Sequence, residues 1–198
     1  MLIVEVYKGT GIMKVSGRSK LLIVFVASLL LGAIYAGYVW EQGNFHPITE
    51  GEAYRSAQMD GDELKNCIDK YHIKSILNLR GKYLEEKWYT EEMKVSSEHN
   101  VRHYDIDLSA YREPTSEEMQ ILIGLFKSAP RTILIHCHAG ADRSGLVAAM
   151  WRVIVDKQSK IEARKQLSIL YGHMPVGPAS AMDQFFENWL PDSTVVRQ

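Results

Sequence analysis

The hydrophobic pattern changes character once, about a fifth of the way along the chain. From Leu21 to Trp40 the sequence reads LLIVFVASLLLGAIYAGYVW, twenty residues without a charge. As a helix rising about 1.5 Å per residue, they cover the roughly 30 Å of a bilayer's hydrocarbon. The stretch 21–40 is therefore predicted to be a membrane-spanning helix. A buried core helix would carry a polar stripe or be shorter. A cleaved signal peptide would offer small residues at its cleavage point, where Gly32-Ala33-Ile34-Tyr35-Ala36 places Ile34 instead.

Beyond Glu41 short β-rich runs alternate with helical periods. Leu64, Cys67, Ile68 and Tyr71 follow the i, i+3, i+4, i+7 spacing of an amphipathic helix over Asp60 to Tyr71, with Cys67 on its core side. Lys74 to Leu79 reads as a strand, Glu85 to Glu98 as a polar helix and Val101 to Leu108 as the next strand. Thr115 and Glu118 form a capping box that opens a helix with the buried stripe Met119, Leu122, Ile123 and Phe126, and Pro130 closes it. Thr132 to Ile135 is an apolar run of the kind covered on both faces in a parallel sheet. Three helices complete the pattern: Ser144 to Val155, one with Ala163, Leu167, Leu170 and Tyr171 on a face, and one with Met182, Phe185, Phe186, Trp189 and Leu190 before Pro191. Strands separated by helices predict an α/β fold, a central, mostly parallel sheet flanked by helices and preceded by one transmembrane helix. The predicted organisation is an N-terminal segment 1–20, the span 21–40, a tether 41–51 and a folded domain 52–192.

Composition adds mainly exclusions. With 198 residues, 46% hydrophobic and 24% charged, the chain is an ordinary globular protein, neither disordered nor collagen-like. Its 23 Lys+Arg against 24 Asp+Glu supply no basic excess for a nucleic-acid partner. Cys67 and Cys137 are too few for a disulfide scaffold or a Cys-rich zinc site. Lys14, Arg18 and Lys20 precede the span and Glu41, Glu50 and Glu52 follow it, so the positive-inside rule puts the N-terminus in the cytoplasm. The expected location is a single-pass anchor in the cell membrane with the folded domain outside the cytoplasm. Met1 and Met13 both stand as translation starts, since Met13 opens the compact basic lead into the span.

The candidate chemistry lies in Ile135-His136-Cys137-His138-Ala139-Gly140-Ala141-Asp142-Arg143-Ser144-Gly145, between a buried strand and a helix. A loop there aims backbone N–H groups and the positive end of the helix dipole at one point, which attracts a dianion. Residues 138–143, namely His138, Ala139, Gly140, Ala141, Asp142 and Arg143, would line this phosphate site. Gly140 and Gly145 let the backbone turn and approach, and Arg143 offers a planar fork to phosphate oxygens. Cys137 at the mouth of the cradle meets a field that favours its thiolate, a nucleophile beside bound phosphate. The implied reaction is attack on phosphorus and hydrolysis of a cysteinyl-phosphate, which asks for no metal and no other cofactor. His136, Cys137 and His138 form no metal site, because adjacent strand positions face opposite ways.

The pattern H-C-x-x-G-x-x-R-S resembles the signature of the protein tyrosine phosphatase superfamily, and the compact domain looks most like its dual-specificity branch. Tyr54-Arg55-Ser56-Ala57-Gln58 and Ile76-Leu77-Asn78-Leu79-Arg80-Gly81 are similar to segments of small atypical bacterial and fungal members. The resemblance covers about residues 45–190, outside the apolar span. It implies the cysteine phosphatase fold for the sheet domain, Cys137 as nucleophile, Arg143 as clamp on the equatorial oxygens, His136 as support of the phosphate loop and Ser144 as donor to the departing thiolate. The bland reading of His136 is a satisfied buried imidazole, and of Ser144 a helix cap.

A general acid must protonate the leaving oxygen. By the resemblance it lies in Asp105-Ile106-Asp107-Leu108-Ser109-Ala110-Tyr111-Arg112-Glu113, and Asp107 is the first choice. Asp105 stays with the sheet, and Glu113 lies beside the capping box. Asp142 is the alternative, in the phosphate loop itself, an arrangement that resembles a bacterial lipid-phosphatase-like variant. Substrate expectations are a phosphorylated protein or modest phosphoester, since the loop lacks the Lys residues that suit inositol phosphates. Lys82, Lys87, Arg102 and Arg112 are candidate rim cations. A lipid or phosphoinositide phosphatase and a catalytically silent phosphate-binding module are the alternatives. An arsenate-reductase or sulfurtransferase reading needs a second reactive cysteine or a sulfur donor, and Cys67 on a core stripe is a poor partner.

Overall fold

The computed structural model describes residues 17–41 and 43–191, in two compact units divided after Tyr38. The segment 1–16, with Lys14 and both candidate starts, lies outside the described residues.

The first unit is formed by helix α1, Gly17–Glu41, up to Tyr38; the helix contains the predicted span and extends it by four residues at its start. Its side chains from Leu21 to Ile34 are exposed, and Ser28 donates its hydroxyl to the Val24 carbonyl at 2.9 Å, as hydroxyls in apolar helices do when no water is at hand. The helix is long and apolar enough to cross a membrane, a test of length and composition that a signal sequence also passes.

The second unit is built on a five-stranded sheet: β1 His46–Thr49, β2 Ala53–Ser56, β3 Ser75–Asn78, β4 Arg102–Asp105 and β5 Ile133–His136, in the order β1-β2-β5-β3-β4. Only β1 runs antiparallel, to β2; the remaining pairs are parallel, so the expected mostly parallel sheet is what forms. The register places Ser56, His136, Asn78 and Asp105 side by side at the C-terminal ends of four neighbouring strands. In open α/β sheets that edge is where ligands bind.

Helices α2 (Gly61–Tyr71) and α3 (Lys87–Glu98) share one core with the sheet, Tyr54, Leu64, Cys67, Ile68, Ile76, Val101 and Leu134 among its buried residues. The larger core is built from α4 (Ser116–Ser128), α5 (Asp142–Ile154), α6 (Lys160–Ala163) and α7 (Ala181–Asn188) against Leu77, Ile133 and Ile135. Trp151 is its largest fully buried side chain; its indole N–H donates to Thr49 Oγ1 at 3.1 Å and its ring meets Phe126 edge-on. Capping boxes at Asp60 with Glu63 and at Thr115 with Glu118 start α2 and α4.

Three details differ from the sequence reading. The stretch 41–51, expected as tether, supplies strand β1, whose Ile48 is buried. The strand expected to reach Leu108 leaves the sheet at Asp105, and Leu108 N–H turns back to the Ile106 carbonyl at 3.1 Å. The helix expected through Ala163 and Tyr171 is broken into α6 and two 3-10 turns, Arg164–Gln166 and Ile169–Tyr171. At this point the buried Arg55 guanidinium donates to the Gln166 carbonyl at 2.6 Å.

Candidate active site

Strand β5 ends at His136, and the chain turns through residues 137–141 into α5, placing the loop at the aligned C-terminal edge of the sheet. Four consecutive loop carbonyls are drawn outward by donors from the surrounding framework. His138 O accepts from Gln58 N–H at 3.1 Å, Ala139 O from Asn44 Nδ2 at 3.0 Å, and Gly140 O and Ala141 O from Arg55 Nη2 at 2.8 and 2.9 Å. A peptide whose carbonyl points outward turns its neighbouring N–H inward. Among the described residues the N–H groups of 139–142, on those same peptides, form no hydrogen bond with the protein. The arrangement is the anion-binding concavity that successive backbone amides create. Gly140 has φ +68°, and a Cβ there would lie 2.6 Å from Ala57 N and 2.7 Å from Ser56 C, so no other residue fits this turn.

Arg55 holds this shape. It is fully buried, bonds the Gln166 carbonyl and side-chain oxygen as well as the loop, and stacks 4.6 Å from the Tyr171 ring centroid. Burial pulls its pKa down to about 10, opposed by the negative forms of Cys137, Tyr171 and Asp142. Asn44 carries the same framework outward, donating also to the Tyr171 carbonyl at 2.9 Å.

Cys137 is 2% exposed at the floor of the loop, with Ser144 Oγ 3.5 Å from its Sγ. Arg143 reaches over to the ends of the neighbouring strands, where Nη1 donates to Leu79 O at 3.2 Å and Leu108 O at 3.3 Å, while its buried Nε has no partner. Cys137 and Ser144 are thus brought together in the loop, and the Arg143 guanidinium is held at the Leu79 and Leu108 carbonyls. His136 is buried beneath them, its Nε2 3.2 Å from Glu92 Oε1. Glu92 on α3 also accepts from His103 Nε2 at 2.6 Å and from Gln58 Nε2 at 2.7 Å. Burial alone would raise the Glu92 pKa, but the two imidazoles outweigh it and hold the carboxyl well below its usual range.

The acidic candidates separate clearly by environment. Asp105 is bound within the sheet by Asn78 Nδ2 at 2.8 Å and Tyr89 OH at 2.9 Å. Asp142, the first residue of α5, accepts from His173 Nδ1 at 2.7 Å, and His173 Nε2 bonds Asp183 Oδ2 at 2.7 Å. Burial lowers the pKa of His173, but its bonds to the two carboxylates win and raise it above the ordinary value. Asp107 is exposed, one residue before the Leu108 carbonyl that Arg143 touches, and its backbone bridges Arg80. A Cβ on Gly81 would fall 2.9 Å from the Asp107 Cβ, so the missing side chain makes the room in which Asp107 sits.

Of the expected rim cations, Arg112 is committed to Glu118 at 2.6 Å and Lys87 to Glu91 at 3.3 Å, and Lys87 lines a groove between α2 and α3 instead. Lys82 and Arg102 are exposed. Sequence reading passed over the residues that shape the loop, namely Arg55, Gln58, Asn44, Glu92 and His173. A trace of them stood in the segment Tyr54 to Gln58, noted for resemblance and not for its chemistry. Cys67 is buried in the α2 and α3 core, where burial pushes its thiol up to about 12, so no second reactive thiol serves the site.

Residues 43–181 match the PTP-NADK family model, described as DSP-PTPase phosphatase fused to NAD+ kinase. No curated protein matches the chain. Several solved structures share the fold. TpbA of P. aeruginosa aligns with TM-score 0.60 and 19% identity over 79% of this chain and 90% of its own. The catalytic core of the S. cerevisiae PP-IP phosphatase SIW14, in complex with citrate, aligns with TM-score 0.61 and 22% identity over 76% and 87%. PTPMT1 aligns with TM-score 0.54 and 16% identity over 72% and 94%.

Proposed function

The chain belongs to the PTP-NADK family of DSP-PTPase phosphatases, and from that premise we propose that it is a membrane-anchored, cysteine-dependent phosphatase that hydrolyses phosphomonoesters, with phosphorylated protein as the first substrate reading. The observation that carries the reading is the loop around Cys137, with four carbonyls turned outward and their amides left for a phosphate.

In this reading the Cys137 thiolate attacks phosphorus while the bond to the ester oxygen breaks, and that oxygen takes a proton from Asp107. Arg143 and the loop amides hold the three equatorial oxygens as they gain charge. Water then attacks the cysteinyl-phosphate, Asp107 takes its proton, and the sulfur leaves as a thiolate that accepts a hydrogen bond from Ser144. His136 acts as a positioning residue through Glu92. Asp107 is favoured over Asp142 because Asp107 is exposed, whereas the Asp142 carboxylate is bonded to the His173 imidazole at 2.7 Å. A lipid phosphate is the second reading; it is supported by the apolar helix and by the fold neighbour PTPMT1, solved in complex with PI(5)P.

The test is release of phosphate from 4-nitrophenyl phosphate by the full chain in detergent. Cys137→Ser is expected to abolish turnover and Arg143→Ala to lower kcat/KM by about 10³-fold or more. Acid quenching should trap a phosphoenzyme that Cys137→Ser lacks. Turnover that survives Cys137→Ser overturns the reading, and binding of orthophosphate without release leaves only a phosphate-binding module.

A further inference from the structure

We infer that Arg80 forms a second anion subsite beside the phosphate loop, which selects phosphomonoesters carrying another negatively charged group next to the one that reacts. The inference rests on the phosphatase reading and narrows its substrate class.

Position comes first. Arg80 follows directly on Leu79, whose carbonyl accepts from Arg143 Nη1 at 3.2 Å. Its main chain bridges Asp107, on the same side of the site. The side chain is held in place: its guanidinium carbon lies 3.6 Å from the Trp88 ring centroid, and Nη1 donates to Gln58 Oε1 at 3.1 Å. That same Gln58 donates its backbone N–H to the His138 carbonyl of the phosphate loop, so one residue fixes both the loop and the second cation. An arginine already stacked and bonded loses little freedom when an anion arrives.

Charge comes second. Among the described residues Arg80 takes part in no ion pair, whereas Arg112 and Lys87 each have a carboxylate. Glu92 stands near, but both its oxygens are occupied, by His103 and His136 on one side and Gln58 on the other. Burial and then the positive charge of Arg143 lower the Arg80 pKa, against the opposing pull of Glu92, Tyr83 and Cys137. The simple phosphate of an ester is served by the loop and Arg143; Arg80 remains for a further phosphoryl or carboxylate group close by.

The test is calorimetric binding of orthophosphate and pyrophosphate to the full chain in detergent, in a Cys137→Ser background so that nothing turns over. Pyrophosphate is expected to bind about tenfold more tightly than orthophosphate. In Arg80→Met that ratio should fall to within about twofold of unity, and Arg80→Lys should recover part of it. Equal affinities in the parent, or a preference that survives Arg80→Met, overturn the subsite. If Arg80→Met loses both anions, Arg80→Gln, which keeps a donor to Gln58, decides by the same ratio. Because the ratio needs no turnover, failure of the subsite and failure of the phosphatase reading are separable. A chain that keeps the ratio but never releases phosphate sinks only the latter.

Discussion

Asp107 and Asp142 both lie close to the loop, and what surrounds each carboxylate separates them. Asp107 is exposed beside the Leu108 carbonyl that Arg143 meets, whereas Asp142 is bonded to an imidazole that also bonds Asp183. A general acid matters most when the leaving group is a poor one. Asp107→Asn is therefore expected to cost about 10²-fold in kcat on an alkyl phosphate and far less on 4-nitrophenyl phosphate. Asp142→Asn should lower both rates alike. The comparison of the two substrates across both variants checks this, and the reverse ranking would move the acid to Asp142. At this scale the sequence was legible where the chemistry is contiguous, from His136 to Ser144, because adjacent residues in one loop reach one ligand. Arg55, Asn44 and Gln58 reach the loop from β2 and from the residues flanking β1 and β2, far earlier in the chain. A lone arginine among Ala53, Tyr54 and Ser56 does not disclose that it will be fully buried against carbonyls from residues 140, 141 and 166.

Helix α3 is joined to the sheet by charge as well as by packing. Glu92 is hydrogen-bonded to His103 on β4 and His136 on β5, and Tyr89, one turn earlier, donates to Asp105. Burial lowers the His103 pKa, but its contacts with Asp105 and Glu92 outweigh that and lift it from 6.5 to about 9. A raised folded pKa means that this stabilisation is fully present below about 6.5 and is lost as pH rises through about 9. Glu92, held below its usual 4.5, works in the opposite sense, and its share is lost as pH falls further. Stability should therefore be greatest between about 4.5 and 6.5 as far as this pair decides it. Glu92→Gln is expected to cost about 3 kcal/mol near pH 6, with a cost that shrinks toward pH 10, read as urea midpoints of variant and parent. A cost independent of pH would refute the charged pairing. The helices themselves were readable from caps and stripes, as at Asp60 and Thr115. Strand β1 was not, because His46-Pro47-Ile48-Thr49 buries a single apolar side chain and has no period to detect. The break after Ala163 was equally hidden, since the bond from Arg55 to the Gln166 carbonyl in that segment comes from more than a hundred residues away.

The folded unit and the apolar helix obey different solvents. The two cores of the sheet domain draw no member from before Phe45 among the described residues, and its sheet, caps and loop buttresses all lie within 43–191. Helix α1 has the opposite character: Leu21, Leu31 and Ile34 are 72%, 67% and 68% exposed, an apolar surface that water does not tolerate at this length. In the proposed reading lipid would cover that surface, with Arg18 and Lys20 at the cytoplasmic end by the positive-inside rule. The full chain is accordingly expected to stay with membranes through alkaline carbonate extraction, and a reporter fused after Gln198 to lie outside the cytoplasm. A chain lacking residues 1–42 should be soluble and keep kcat/KM on 4-nitrophenyl phosphate within about twofold, because Asn44, Arg55 and Gln58, which hold the phosphate loop, all lie in the retained part. The readout distinguishes the rivals directly. A mature N-terminus found just after Ala36 makes the helix a signal sequence, and release of the intact chain by carbonate means that a partner, not lipid, covers its apolar face.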